Sequence, residues 1–253
     1  MPISTSTVFH FTNSPDHLIS ILTSNFLPHF CLEDLTVVMP DLSHKEDLEF
    51  ALPMVCFCDI PLSQISPHLA HYGNYGIGLT KTWAIQNGLA PVLYLLRGSP
   101  LASIFYSIGE QLGTLPHDKI GNSPAMDHFH DLSAYIKPYE GVSVKDPKDG
   151  TWRFYDEREW RFVPDLTDLP FRYGLTKDEM LDQSTRDRAH RVLWQRSVLK
   201  FEPNDIKYII VEREDEILAM ISRIGRIKRR FPSANIDLLA SRVISSMQIR
   251  EDF

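Results

Sequence analysis

The chain lacks the segments that would place it in or across a membrane. Its first twenty residues contain no basic stretch followed by an apolar run, which is the pattern of a secretory signal. Its apolar runs are short and interrupted, so none is long enough to span a bilayer. Only three cysteines occur in 253 residues, which favours reduced thiols over a disulfide framework. Together these absences predict a cytoplasmic protein that has no membrane partner.

The chain also lacks the common motifs of nucleotide and acyl-transfer enzymes. It contains no P-loop, no dinucleotide-binding fingerprint and no nucleophile elbow. Kinases, Rossmann dehydrogenases and α/β-hydrolases are therefore disfavoured. The formal net charge is −7, so nucleic-acid binding would need a local basic patch.

The length and composition are those of an ordinary globular protein. The 253 residues suffice to bury a substantial core, with 43% hydrophobic and 23% charged residues. Strand-like and helix-like segments are interspersed without an internal repeat. This predicts an α+β fold with mixed or antiparallel sheets flanked by helices. We expect a single domain over 1–253, in which about 213–253 forms a C-terminal helical extension.

Local patterns predict the positions of the elements. Runs of β-branched and aromatic residues indicate strands, and spaced apolar residues with capping signals indicate helices. The predicted strands are 8–12, 54–60, 76–79, 91–96 and 205–212. The predicted helices lie at 15–24, 63–69, 82–87, 100–131 with a break near 113–124, within 176–202, at 215–231 and at 236–246. Residues 25–50 and 138–150 are predicted to be connections.

The most distinctive predicted strand is 155–162, with the sequence YDEREWRF. Strand alternation would place Glu157, Glu159 and Arg161 on one face, while Trp160 packs on the other. The two carboxylates would then lie about 7 Å apart, two residues of strand rise. On the charge pattern alone, an exposed edge strand with Glu157 and Arg161 paired is the simplest interpretation.

Two cysteines and two histidines raise the question of a metal site. Cys56 and Cys58 are separated by one residue, and His68 and His71 follow. The usual zinc knuckle has two residues between its cysteines, so the spacing is wrong. Small buried thiols in an apolar strand are the better interpretation, and we predict no metal.

Four sequence blocks carry a resemblance to a known family. They are FHFT at 9–12, PMVCFCDIPL at 53–62, HYGNYGIGL at 71–79 and DEREWR at 156–161. Through them the chain resembles the AbiGi family of abortive-infection (phage-resistance) proteins over most of its length. Descriptions of that family attach its name to the antitoxin half of a toxin–antitoxin pair. The resemblance thus implies a cognate toxin or antitoxin protein as a partner.

The same blocks, in the same order, look like the His-Tyr-Glu arrangement of ADP-ribosyltransferases. In that superfamily a first-strand histidine contacts the adenosine ribose of NAD, and an aromatic residue stacks on the nicotinamide. A late-strand glutamate binds the nicotinamide ribose. The resemblance assigns these roles to His10, to Tyr72 or its alternative Tyr75, and to Glu159. It assigns Glu157 to placing the acceptor.

Neighbouring residues extend this implied NAD site. Thr12 shares the predicted strand face of His10, and His71 adjoins the aromatic position. Cleavage of the nicotinamide–ribose bond develops an oxocarbenium-like cation, which a preplaced carboxylate such as Glu159 would stabilise. Arg161 is expected on the same face as Glu159, and a tight pair between them would silence the site.

A basic segment could supply the acceptor surface. It consists of Arg223, Arg226, Lys228, Arg229 and Arg230, on the polar side of the helix predicted at 215–231. A solvated helix face is the simpler interpretation, but such a patch could also track a phosphate backbone. The leading hypothesis is therefore an NAD-dependent ADP-ribosyltransferase of phage defence, with NAD as substrate and RNA or DNA favoured over protein as acceptor. The alternative is a catalytically silent antitoxin or regulatory binding module.

Overall fold

A computed structural model of the chain describes residues 4–35, 49–114, 123–142 and 151–252. Thirteen strands lie within these ranges. They are β1 (Thr7–Thr12), β2 (His29–Asp34), β3 (Glu49–Cys58), β4 (Tyr75–Thr80), β5 (Ala90–Pro91), β6 (Leu93–Leu95), β7 (Ile136–Pro138), β8 (Gly141–Val142), β9 (Thr151–Trp152), β10 (Glu159–Phe162), β11 (Leu175–Thr176), β12 (Ile206–Val211) and β13 (Val243–Ser245).

Ten α-helices occur in the same described ranges. They are α1 (Pro15–Ser24), α2 (Ser66–Tyr72), α3 (Lys81–Gln86), α4 (Pro100–Gly113), α5 (Pro124–Ser133), α6 (Lys177–Leu181), α7 (Gln183–Arg196), α8 (Ile217–Ile227), α9 (Ser233–Ala240) and α10 (Ser246–Asp252). Capping signals in the sequence set several of their starts. Ser14, for example, accepts a hydrogen bond from the backbone N–H of Asp16, with Pro15 at the first helical position. No helix in the described part of the chain is long and apolar enough to cross a membrane.

One sheet organises the molecule. Its strand order is β13-β12-β4-β1-β3-β10-β5, and β2 and β11 also pair with β3 outside that path. The pairs among these strands are antiparallel except for β12 and β13, which are parallel. The predicted α+β class with a mixed sheet is therefore confirmed at that level.

The core lies on both faces of this sheet. Adjacent residues of β1 and β12 belong to different hydrophobic clusters, because successive side chains of a strand point to opposite faces. Val8 and Ile209 pack with α1, α3 and α8, whereas Phe9 and Ile210 pack with α2 and α10. A further cluster joins Phe30 of β2 to α7.

Two glycines of β4 let aromatic rings lie flat on the sheet. Gly76 and Gly78 are the cross-strand partners of Phe11 and Phe9. A Cβ atom would stand 2.8 Å from the Phe11 ring at Gly76 and 2.7 Å from the Phe9 ring at Gly78. The two rings stack with centroids 5.9 Å apart. The close approach expected of these strand glycines is thus made by the phenyl rings of the neighbouring strand.

Most predicted elements are confirmed. The strands expected at 8–12, 54–60, 76–79 and 205–212 correspond to β1, β3, β4 and β12. The segment 91–96 is divided between β5 and β6, which belong to different sheets. The interiors of the predicted break at 113–124 and of the predicted loop at 138–150 lie outside the described residues.

Three predictions about the elements were wrong, and that of a strand at 155–162 is described with the cavity below. The connection expected at 25–50 contains β2, which pairs antiparallel with the first half of β3 over six residues. The helix expected at 236–246 ends at Ala240, and β13 follows it. Ile244 of β13 lies beside Ile210 of β12, so the segment 213–253, which was predicted to be helical, contributes a strand to the main sheet. Pairing with a distant strand overrides the local helical pattern in that segment.

Candidate functional site

A cavity of about 330 Å³ brings together four of the residues that the sequence patterns singled out. His10, Tyr72, Glu157 and Glu159 all line it. They come from β1, the end of α2, a short 3₁₀-helix and the start of β10. Their convergence depends on the sheet, because β1 and β10 both pair with β3.

The acidic segment is not the continuous strand that was predicted for 155–162. Residues Phe154–Glu157 form a 3₁₀-helix, and β10 begins only at Glu159. Arg158 between them has a φ of 46°, in the left-handed region, and it ends the 3₁₀-helix before β10 begins. The shared face of Glu159 and Arg161 is confirmed, since both lie within β10. Glu157 reaches the cavity from the 3₁₀-helix instead.

Lys137 of β7 joins the two glutamates, and the sequence patterns did not single it out. Its Nζ lies 2.8 Å from Glu157 Oε2 and 2.5 Å from Glu159 Oε2. Its flanks Ile136 and Pro138 are buried, which is an unusual setting for a lysine. In the sequence, the apolar neighbours Ile136 and Pro138 were the one signal for Lys137, but they do not identify its partners.

Glu157 is held by three donors. Tyr72 Oη–H donates a very short hydrogen bond to Glu157 Oε1, and Trp152 Nε1–H donates to the same atom at 2.9 Å. Lys137 occupies the other oxygen. Burial, together with the neighbouring Glu157 carboxylate, raises the pKa of Tyr72 well above its ordinary value. The phenol therefore stays protonated and acts as a donor to the carboxylate.

Glu159 is held from both sides. Arg161 Nε–H donates to its Oε1 at 2.6 Å, and Lys137 binds its Oε2. The guanidinium is fully buried and continues to Glu33 at 2.9 Å and to the carbonyl oxygen of Ala134 at 2.7 Å. Burial alone would raise the pKa of Glu159, but Arg161 and Lys137 outweigh it and hold that pKa well below the usual range.

All four carboxylate oxygens of Glu157 and Glu159 thus have donors within the described residues. Glu33, Glu157 and Glu159 face two cations, Lys137 and Arg161. Each of these charges is paired and hydrogen-bonded, so removal of any one partner would leave a buried charge less compensated. In this arrangement the carboxylates bind protein groups and not a developing cation.

His10 is oriented by the strand beside it. Its Nδ1 lies 2.8 Å from the carbonyl oxygen of Cys56, and its ring meets the edge of Phe26 at 5.2 Å between centroids. Since a carbonyl oxygen only accepts, Nδ1 carries the proton in this contact. The Nε2 atom of the neutral ring is then an acceptor.

The remaining predicted NAD-binding residues do not line the cavity. Thr12 Oγ1 is 3.2 Å from His17 Nδ1. Tyr75 belongs to the main core, and its hydroxyl donates to Glu216 at 3.2 Å. His71 stacks on Trp152 with centroids 4.4 Å apart, which supports the indole that binds Glu157. Of the two tyrosines that were left open, Tyr72 is the one at the cavity.

The predicted basic patch has one member fewer than the sequence suggested. Arg223, Arg226, Arg229 and Arg230 are exposed, whereas Lys228 is buried. Lys228 caps the C-terminal end of α8, and its Nζ lies 4.8 Å from the centroid of the Phe201 ring. Burial lowers the pKa of Lys228 to about 8. Because α8 ends at Ile227, Lys228 does not continue the polar face of the helix, and its side chain is buried.

The cysteine–histidine pattern also separates in space. Cys56, Cys58 and His68 line the cavity, but His71 stacks on Trp152. In the part of the chain that the structure describes, no three His, Cys, Asp or Glu side chains are grouped so that they could hold a metal ion.

Comparison with known proteins gives a consistent result. A family model described as "Putative abortive phage resistance protein AbiGi, antitoxin" matches residues 24–212. The abortive phage resistance protein AbiGi of Lactococcus lactis subsp. cremoris is 31% identical over 252 residues, which cover 90% of this chain and 99% of that protein. No solved structure matches the chain. The family match spans Tyr72, Lys137, Glu157, Glu159 and Arg161.

Proposed function

The chain belongs to the AbiGi family of abortive phage resistance proteins, and from that premise we propose that it is the antitoxin of a phage-defence toxin–antitoxin pair. In this role the protein binds a cognate toxin protein and restrains it. It transfers no chemical group itself. The family description, which names an antitoxin, supports this function.

The observation that carries the proposal is the engagement of both glutamates. A transferase needs a carboxylate that meets the positive charge as it develops in the transition state. Here Glu159 already binds Arg161 and Lys137, and Glu157 binds Lys137, Tyr72 and Trp152. A binding module has no use for a free carboxylate, and the buried network fixes the shape of its interior.

The proposal is tested by co-expression with each gene that neighbours its own. We expect one such gene to arrest growth alone and the present protein to restore it, with the two proteins co-purifying. The double variant Lys137→Met/Glu157→Gln removes one cation and one anion together and keeps the charge balance. At temperatures where it stays folded, it should protect like the wild type. Growth arrest caused by the present protein alone would contradict the proposal.

A second function is favoured by one observation. His10, Tyr72, Glu157 and Glu159 line the same cavity, as the ADP-ribosyltransferase resemblance requires. On this hypothesis the protein cleaves NAD at the nicotinamide and transfers ADP-ribose to a macromolecule. The exposed Arg223, Arg226, Arg229 and Arg230 would favour RNA or DNA as the acceptor. The ion pairs of Glu159 would then have to open when NAD binds.

Labelled NAD separates the two functions. Purified protein is incubated with labelled NAD and a cell lysate, and both labelled macromolecules and free nicotinamide are measured. The antitoxin function predicts neither product. Transfer by the wild type, together with its loss in a folded Glu159→Gln variant, would establish the transferase instead. Thermal unfolding of the variant shows whether the loss arises from misfolding.

A further inference from the structure

His68 of α2 is an unexplained polar group at the cavity. It is 5% exposed, and neither ring nitrogen has a hydrogen-bond partner among the described residues. Its ring stacks on Tyr72, with centroids 6.0 Å apart and planes inclined by 26°. Buried polar side chains are nearly always paired, so a buried imidazole with two unsatisfied nitrogens points to a missing partner.

The position of His68 indicates where that partner lies. The imidazole forms part of the wall of the 330 Å³ cavity, together with Glu157 and Tyr72. Rotation of a histidine ring about its Cβ–Cγ bond is soft, with broad minima. A ligand in the cavity that His68 lines could therefore reach an imidazole nitrogen. Burial lowers the pKa of His68, so the neutral ring offers one donor and one acceptor.

The rest of the wall indicates the shape of the ligand. The rings of Phe9 and Phe11 line the cavity and are stacked nearly parallel, at 9°. Flat aromatic surfaces favour a planar ring as a partner. The volume is at the lower end of the range of about 300–1,000 Å³ that is typical of small-molecule sites. It suits a nucleobase or nucleoside and is small for a dinucleotide.

The charges of the wall exclude an anionic ligand. Lys137, the cation of the described wall, already binds both Glu157 and Glu159. The nearby Arg161 binds Glu159 and Glu33. Three carboxylates thus face two cations, so a phosphate would find no unpaired positive charge, and a neutral or singly cationic ring would be favoured.

We propose that this cavity binds a small planar nitrogen heteroaromatic, neutral or singly cationic and of nucleobase or nucleoside size, which is held by a hydrogen bond to His68. The planar ring lies against Phe9 and Phe11, and one ring nitrogen or amide of the ligand pairs with the imidazole. This binding site does not depend on the antitoxin function, because it needs no toxin. It competes with the transferase function, because NAD is an anionic dinucleotide.

Direct titration of the isolated protein tests the site. The probes are adenosine, which is neutral, and nicotinamide riboside, which carries a pyridinium cation. Adenosine 5′-monophosphate serves as the anionic comparison. We expect calorimetry to show binding of at least one of the first two probes, and adenosine to bind more tightly than its monophosphate. The imidazole resonances of His68 should shift on binding in an NMR spectrum of the histidine rings.

Variants at two histidines assign the binding to His68. His68→Phe keeps a flat ring beside Tyr72 but removes both nitrogens, and we expect binding to weaken about tenfold, as the loss of one buried hydrogen bond implies. The same change at the exposed His128 of α5 is the matched control and should leave binding unchanged. His68→Gln, which keeps a donor and an acceptor, should recover part of the affinity.

Three results would overturn the proposal. One is the failure of both adenosine and nicotinamide riboside to bind the wild type at millimolar concentration. Another is equal binding by wild type and a folded His68→Phe variant. The third is equal affinity for adenosine and its monophosphate. A thermal-shift measurement of each free variant establishes its folding, and removal of the unpaired imidazole is expected to raise the melting temperature.

Discussion

Arg161 and Glu159 stand two residues apart on β10 and form a fully buried ion pair, with 2.6 Å between Arg161 Nε and Glu159 Oε1. Strand alternation puts the two side chains on one face. The guanidinium extends from there to Glu33 on β2, so one side chain ties two strands of the sheet together. Glu159, which the ADP-ribosyltransferase resemblance singles out, is thus anchored by a residue of its own strand.

The first prediction concerns this pair. Arg161→Met should lower the free energy of unfolding by about 3–5 kcal/mol, because it removes the ion-pair partner of Glu33 and leaves the buried Glu159 with Lys137 alone. Urea denaturation measures the loss. Arg213→Met is the matched control: Arg213 also pairs with carboxylates, three in all, but is exposed, so its removal should change little. An Arg161→Met variant as stable as Arg213→Met would show that the buried pair does not stabilise the fold.

The second prediction concerns Lys137. Lys137→Met should destabilise the fold by a similar amount, about 3–5 kcal/mol, because Glu157 then loses its cation and Glu159 keeps only Arg161. Adding Glu157→Gln should restore part of the lost stability, since it removes the negative charge that Lys137 no longer neutralises. A double-mutant cycle measures the coupling. Additive losses in the cycle would mean that Lys137 and Glu157 do not interact in solution.

The third prediction concerns pH and the buried His190 of α7. Its Nε2 accepts a hydrogen bond from the backbone N–H of Phe30 at 3.2 Å, and its ring stacks on Trp194. Burial, followed by the nearby His29, lowers the pKa of His190 to about 4 from 6.5. Between these values the unfolded chain binds a proton that the folded chain does not. The contribution of neutral His190 is therefore complete above pH 6.5 and is lost as the pH falls towards 4.

Urea denaturation between pH 4 and pH 8 measures this contribution. His190→Gln keeps an acceptor for the Phe30 N–H but does not titrate, so its stability should depend less steeply on pH than that of the wild type. His128→Gln, at an exposed position of α5, should retain the wild-type slope. Identical slopes for His190→Gln and the wild type would show that His190 is not the group responsible.

The fourth prediction concerns the exposed arginines at the end of α8. If Arg223, Arg226, Arg229 and Arg230 contact a nucleic-acid backbone, replacing all four by alanine should weaken binding of duplex RNA or DNA equally for every sequence. The logarithm of the affinity should also depend less steeply on the logarithm of the salt concentration, by about 0.9 for each B-DNA phosphate that the variant no longer neutralises. Fluorescence anisotropy over a salt series measures both effects.

The control for this experiment is a second group of exposed arginines. Arg188, Arg191 and Arg196 of α7 are likewise exposed and carry three positive charges against four in the test set, and their replacement leaves α8 unchanged. An equal effect of both sets would indicate non-specific attraction. If the wild type shows no measurable binding at low salt, the basic face is only a solvated surface.

The sequence predicted much of the fold because its rules are local. The Phe-His-Phe-Thr run, the buried 54–60 segment and the glycines of β4 obey steric preferences that need no distant partner. The same rules predicted that Glu159 and Arg161 share a face. They failed at Arg158, where a left-handed residue interrupts the strand, and at β13, where pairing with β12 replaced the helix.

The sequence by itself therefore determined the α+β class, the family and the residue types of the cavity. Only the tertiary structure decided what those residues do there. Tyr72 and Glu157 are 85 residues apart, and Lys137 and Glu159 are 22 residues apart, yet both pairs are in direct contact. Such partners are chosen by the packing of elements that are distant in sequence, and no local pattern encodes them. The same packing left His68 buried without a partner among the described residues, turned Lys228 into the core and engaged both glutamates.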